Sequence, residues 1–212
     1  FPKIIFFRVV VEVMIFFFAI LCLYDKTYIP RPRPLAIAMG IYLGIAALTS
    51  IMGIDPYQSF FSTLARGEGV FTLFHVFAFF LIASSVLKTK KEWGNIFFLF
   101  FLIFFIENIL AFAQFVHLPY VKMFGATRPN GSFGNPAYFA IFEMLGLWII
   151  YLLFKTCDKK KWQSLFIFTM LLGLINVYFA INRAATLGLF IGAMLYGILE
   201  IFNRHDMQIR KK

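Results

Sequence analysis

Apolar residues fall into seven runs along the chain, over residues 4–24, 35–52, 69–87, 94–116, 137–154, 164–181 and 184–201. A membrane-spanning helix needs roughly 20 consecutive apolar residues. Each run is close to that length. The stretch 164–199 is long enough for two spans, and its one charge is Arg183. The pattern predicts a helical hairpin there, turning at Ile181-Asn182-Arg183. The predicted fold class is therefore all-α: a polytopic helical membrane bundle of seven transmembrane helices, forming a single transmembrane domain over residues 1–212. No internal repeat and no second, soluble domain stands out.

The connections between runs alternate in character. Residues 25–34 carry Lys26, Arg31 and Arg33 among prolines, which disrupt helices. Residues 53–68 are more polar and contain the turn-like pair Asp55-Pro56. Lys88, Lys90 and Lys91 follow the third run, Lys155 and Lys159 to Lys161 the fifth, and Arg204, Arg210, Lys211 and Lys212 the last. Basic connections belong on the cytoplasmic side, so connections two, four and six face outside. This order satisfies all seven spans. It also puts Phe1, Lys3 and Arg8 at an outside amino terminus. With no starting Met and no cleavable leader, that is expected of a piece of a longer protein.

Composition agrees with a membrane protein. The chain is 61% hydrophobic and 14% charged, where soluble domains are about half apolar and about a quarter charged. The net charge of +10 lies in short clusters between apolar runs, which is the positive-inside pattern and not a nucleic-acid-binding face. Cys22 and Cys157 lie near predicted cytoplasmic ends with no CxxC, so neither a disulfide nor a metal site is implied.

Orientation gives each polar residue a depth. Arg8 and Glu12 lie one helical turn apart in the outer half of the first span and are placed to pair. His75, Glu107, Asn108, Gln114, Glu143 and Asn176 also fall in outer halves, and Arg183 at an outer turn. The inner halves hold almost no such groups. Polar residues at membrane depth face a bundle interior or a wet cavity. The one-sided set predicts a polar cavity open to the extracytoplasmic leaflet. For any one residue, the alternative is a satisfied interhelical hydrogen bond.

The chemistry of such a cavity is narrowed by what is missing. There is no HExxH, Walker loop, GxSxG elbow or acidic DxD pair. The outer connections offer Arg66, Arg128 and Arg183, with Lys122. Arginine's planar fork suits phosphate oxygens. These residues fit a lipid-linked diphosphate held without metal while a sugar is transferred from it. Each arginine also has a plainer role, binding lipid headgroups. In residues 127–136, Asn135 is placed to cap the fifth span and Pro136 to open it. The exposed N–H groups there form a possible anion site or a simple capped re-entry.

Three segments together resemble the O-antigen ligase and O-antigen polymerase-like family of bacterial membrane glycosyltransferases. They are Asp55-Pro56 with Ser59-Phe60 and Arg66-Gly67-Glu68-Gly69; Asn130-Gly131-Ser132-Phe133-Gly134-Asn135-Pro136-Ala137-Tyr138-Phe139-Ala140; and Asn182-Arg183-Ala184-Ala185. In the last, Asn182 stands for the family's usual Ser and Ala184 for its usual Gly. The resemblance implies the amino-terminal part of an inner-membrane enzyme of about a dozen spans. Such an enzyme moves a glycan from undecaprenyl diphosphate to a glycan, lipid or protein acceptor at the outer face, as in lipopolysaccharide or polysaccharide synthesis. It implies no cofactor, metal or nucleotide. Arg183, Arg66, Arg128, Asn135 and Glu143 are the implied substrate-binding set. The family's catalytic histidine lies on a later loop, so this part alone is expected to be inactive, and His75, His117 and His205 are not assigned that role.

Two other readings stay open. A transporter or lipid flippase would show polar groups and broken helices at midplane. A non-catalytic membrane subunit would show its outer polar residues bonded to one another, with no cavity left.

Overall fold

The computed structural model describes residues 2–63, 67–119, 121 and 128–209. The regular elements among them are all helical: α1 (Pro2–Tyr24), a short 3-10 turn (Lys26–Tyr28), α2 (Pro34–Ile51), α3 (Pro56–Phe61), α4 (Val70–Val86), α5 (Lys90–Phe115), α6 (Pro136–Thr156), α7 (Lys160–Ala180) and α8 (Arg183–Ile209). Six of them, α1, α2, α5, α6, α7 and α8, are long and apolar enough to cross a bilayer. The apolar α4 is shorter, at 17 residues. The chain is an all-α, multi-pass membrane protein, and its long helices coincide with the seven apolar runs.

Sequence chemistry explains the helix starts. Pro34, Pro56 and Pro136 each open a helix, where a missing N–H costs nothing. Asp55 accepts from the Gln58 N–H at 2.9 Å and so caps α3. The connection 53–68 is thus not a loop throughout: its Asp-Pro pair starts a six-residue helix. Asp-Pro satisfies both a turn and a capped helix, and the residues after it decide between them.

The chain divides into two compact units, Phe1–Glu92 and Trp93–Lys212. In the first, α4 packs against α1 and α2, and α3 lies against α2 and α4. Gly69, just before α4, sits so close to α3 that a Cβ there would lie 2.3 Å from the Phe60 carbonyl oxygen. The expected Arg8–Glu12 pair is not formed. Arg8 donates instead to the Gly67 carbonyl at 3.0 Å and to Thr72 Oγ1, while Glu12 lies 3.2 Å from His75 Nε2. The turn at Gly67 presents a carbonyl to a cation beside it, and this contact replaces an exposed pair worth little.

In the second unit α6 packs on α7 and α8. The core joins α5, α6 and α7 through Phe101, Phe104, Leu147, Ile150, Phe166 and Val177. At Gly146 a Cβ would come within 2.2 Å of the Phe104 ring. The glycine lets that ring lie directly against the α6 backbone, the small-residue contact by which membrane helices approach.

Candidate functional site

One end of the second unit gathers the carboxyl ends of α5 and α7 with the amino ends of α6 and α8. Stacked rings of Phe115 and Phe179, 3.6 Å between centroids, join α5 to α7 there.

Two polar side chains of α5 shape the segment before α6. Gln114 Oε1 accepts from the N–H groups of Asn130 and Gly131, both at 2.9 Å, and its Nε2 donates to the Gly131 carbonyl at 2.9 Å. Glu107 accepts from the Ser132 N–H at 2.9 Å and from the Ser132 hydroxyl. Gly131 has φ 54°, a left-handed conformation that glycine adopts freely. Phe133 packs against Phe139 and Phe142 of α6. Asn135 Oδ1 accepts from the Ala137 N–H at 2.8 Å, so the expected cap of α6 is present.

The turn between α7 and α8 is equally defined. Ile181 takes a left-handed conformation, φ 49° and ψ 49°, which is costly for a β-branched residue. Asn182 Oδ1 accepts from the Ala185 N–H at 3.0 Å and caps α8. Arg128 crosses to this turn and donates through Nη1 to the carbonyls of Ala180 and Ile181, each at 3.1 Å. A cation on the last carbonyls of a helix complements its dipole.

Arg183 is the first residue of α8 and is exposed. It borders an open cleft of about 940 Å³ between α7 and α8. Asn182, Arg183 and Thr186, with Tyr178, are among the cleft's polar lining; Leu174, Val177, Leu187 and Phe190 are among its apolar walls. Among the described residues the Arg183 guanidinium makes no hydrogen bond or ion pair. Among the described residues the cleft thus carries an unpaired cation beside an apolar surface.

Deeper in the unit lies a buried polar network, in which Asn176 Oδ1 has no hydrogen-bond partner among the described residues. Asn108, Glu143 and Asn176 are all 0% exposed. Asn108 Nδ2 lies 3.0 Å from both carboxyl oxygens of Glu143 and 2.9 Å from the Phe104 carbonyl. Asn176 Nδ2 donates to Asn108 Oδ1 at 2.9 Å and to the Asn108 carbonyl at 3.0 Å. Gly173 makes the room: a Cβ there would lie 3.0 Å from Glu143 Oε2.

The residues expected to line a polar cavity thus behave differently. Gln114 and Glu107 hold backbone, Asn108, Glu143 and Asn176 hold one another, and Glu12 meets His75 in the first unit. The reason is the cost of leaving such groups unpaired away from water. Of the five expected substrate contacts, Arg183 faces the cleft. Arg128 secures the turn, Asn135 caps α6, and Glu143 is interior. Arg66 lies outside the described residues, as does Lys122. The structural roles of Gln114 and Asn182 were not anticipated. For Asn182 the signal was present, an Asn just before a helical run.

No protein-family model, curated protein or solved structure matches this chain.

Proposed function

We propose that this chain is part of a bacterial inner-membrane glycosyltransferase that moves a glycan from a polyprenyl-diphosphate carrier to a glycan, lipid or protein acceptor at the extracytoplasmic face. The observation that carries this reading is the cleft at the α7–α8 turn, where Arg183, without a partner among the described residues, lies beside apolar walls. A polyprenyl diphosphate has the complementary form, an anionic head on a long hydrocarbon chain. Arg183 would meet the diphosphate and the walls the isoprenoid. As the acceptor hydroxyl attacks the anomeric carbon, the bond from that carbon to the diphosphate oxygen breaks, charge grows on the leaving oxygen, and the hydroxyl proton passes to the departing diphosphate or to solvent. A fixed guanidinium there stabilises that charge without a metal. Arg128 supports the site indirectly by pinning the turn from which Arg183 projects. The resemblance of residues 130–140 and 182–185 to the O-antigen ligase-like family supports the same reading.

A second reading is a non-catalytic membrane subunit. It is favoured by the internal pairing of Asn108, Glu143 and Asn176. The unbroken course of α5 to α8 gives no support to a transporter, whose helices are commonly interrupted at the site. Glycan transfer by the full-length protein, wild type and Arg183→Ala, separates the two. Loss of transfer in a folded variant supports the enzyme. Full retention removes Arg183 from the reaction, and absence of transfer by the wild-type full-length protein assigns the chain to the subunit.

A further inference from the structure

The opposite end of α7 carries a second feature, independent of the Arg183 cleft. A groove of about 480 Å³ is lined by Lys161, Trp162, Ser164, Leu165 and Phe168. Lys155, Lys159, Lys160 and Lys161 crowd around it in sequence, opposed in that segment by Asp158 alone. The three lysines at 159–161 are exposed.

The segment is held in place. Gln163 Nε2 donates to the Cys157 carbonyl at 2.7 Å, and the N–H groups of Trp162 and Gln163 donate to the Lys159 carbonyl at 3.0 and 3.1 Å. The Trp162 ring is fixed edge-on against Phe98, 5.1 Å between centroids. Lys155 is already engaged, its Nζ 2.6 Å from Tyr196 Oη. The lysines left to meet a ligand are therefore Lys161, which lines the groove with Trp162, Leu165 and Phe168, and the exposed Lys159 and Lys160 beside it in sequence. Positive charge at the rim and apolar walls below define an amphipathic, anionic occupant at the membrane surface.

We propose that this groove is a binding site for an anionic phospholipid, with the headgroup phosphate on Lys159 to Lys161 and an acyl chain along Trp162, Leu165 and Phe168. Basic clusters at helix ends attract anionic lipids, and tryptophan commonly sits at headgroup level. The groove adds what a diffuse basic surface lacks, a fixed apolar slot beside the charge.

The test is native mass spectrometry of the purified protein released from mixed phosphatidylglycerol and phosphatidylcholine nanodiscs. The wild type is expected to retain phosphatidylglycerol preferentially. Replacing Lys159, Lys160 and Lys161 together by Gln should reduce that preference about tenfold, and replacing them by Arg should preserve it. Ser164→Trp, which fills the groove and leaves the charge intact, should lose the retained lipid. Equal retention of both lipids by the wild type overturns the proposal. So does undiminished preference in the Gln variant. Full retention by Ser164→Trp also overturns it, since surface charge alone would then account for binding. Displacement of the lipid by millimolar inorganic phosphate would contradict a site that grips the acyl chain.

Discussion

Asn108 of α5 and Glu143 of α6 face each other in the buried interior, with one amide nitrogen 3.0 Å from both carboxyl oxygens. This contact ties two helices together and, through Asn176, reaches a third. Removing one partner leaves the other buried and unsatisfied. Asn108→Leu is expected to cost about 1–3 kcal/mol. The Asn108→Leu/Glu143→Leu double variant should be less destabilised than the sum of the single variants. Thermal unfolding of the four proteins in one detergent checks this. Additive losses would mean that the two side chains do not interact.

Gln114 organises the chain before α6 by satisfying Asn130 and Gly131 together. Gln114→Leu should therefore raise amide hydrogen exchange at residues 130–132 with much smaller effects in α7. Global stability should fall by about 1–3 kcal/mol. Unchanged exchange at those amides would show that the segment is held by other means.

Asn182 caps α8 through the Ala185 N–H. Asn182→Ala should cost about 1 kcal/mol, and Asn182→Ser almost nothing, since Ser caps as well. A matched loss for the Ala and Ser variants, read from unfolding midpoints, would contradict the capping role.

The contrast between these residues shows how much was legible beforehand. The seven helices follow from runs of apolar residues, because bilayer thickness imposes a length that sequence displays directly. The α6 start at Asn135-Pro136 and the α7–α8 hairpin followed from cap and turn chemistry, which is local. The fate of the polar residues was not local. Glu143 meets Asn108, 35 positions away, and Arg128 meets Ala180, 52 positions away. Such partners depend on the rotation of each helix about its axis, to which a one-sided depth pattern is blind. Depth correctly grouped the residues at one end of the second unit. It could not tell a wet cavity from a buried network. Arg8 shows the same limit in miniature: helical spacing pointed to Glu12, but the carbonyl of Gly67 lay closer in space.

In the proposed function Arg183, which makes no hydrogen bond or ion pair among the described residues, receives the phosphate end of a polyprenyl carrier in the α7–α8 cleft. The most direct measurement is the affinity of the purified protein for a polyprenyl diphosphate, titrated in nanodiscs for wild type, Arg183→Lys and Arg183→Ala. A charge-assisted contact of this kind is worth about 1.5–3 kcal/mol. Arg183→Ala should weaken binding at least tenfold, and Arg183→Lys should fall between the two. Equal affinity for a folded Arg183→Ala protein and the wild type would contradict it.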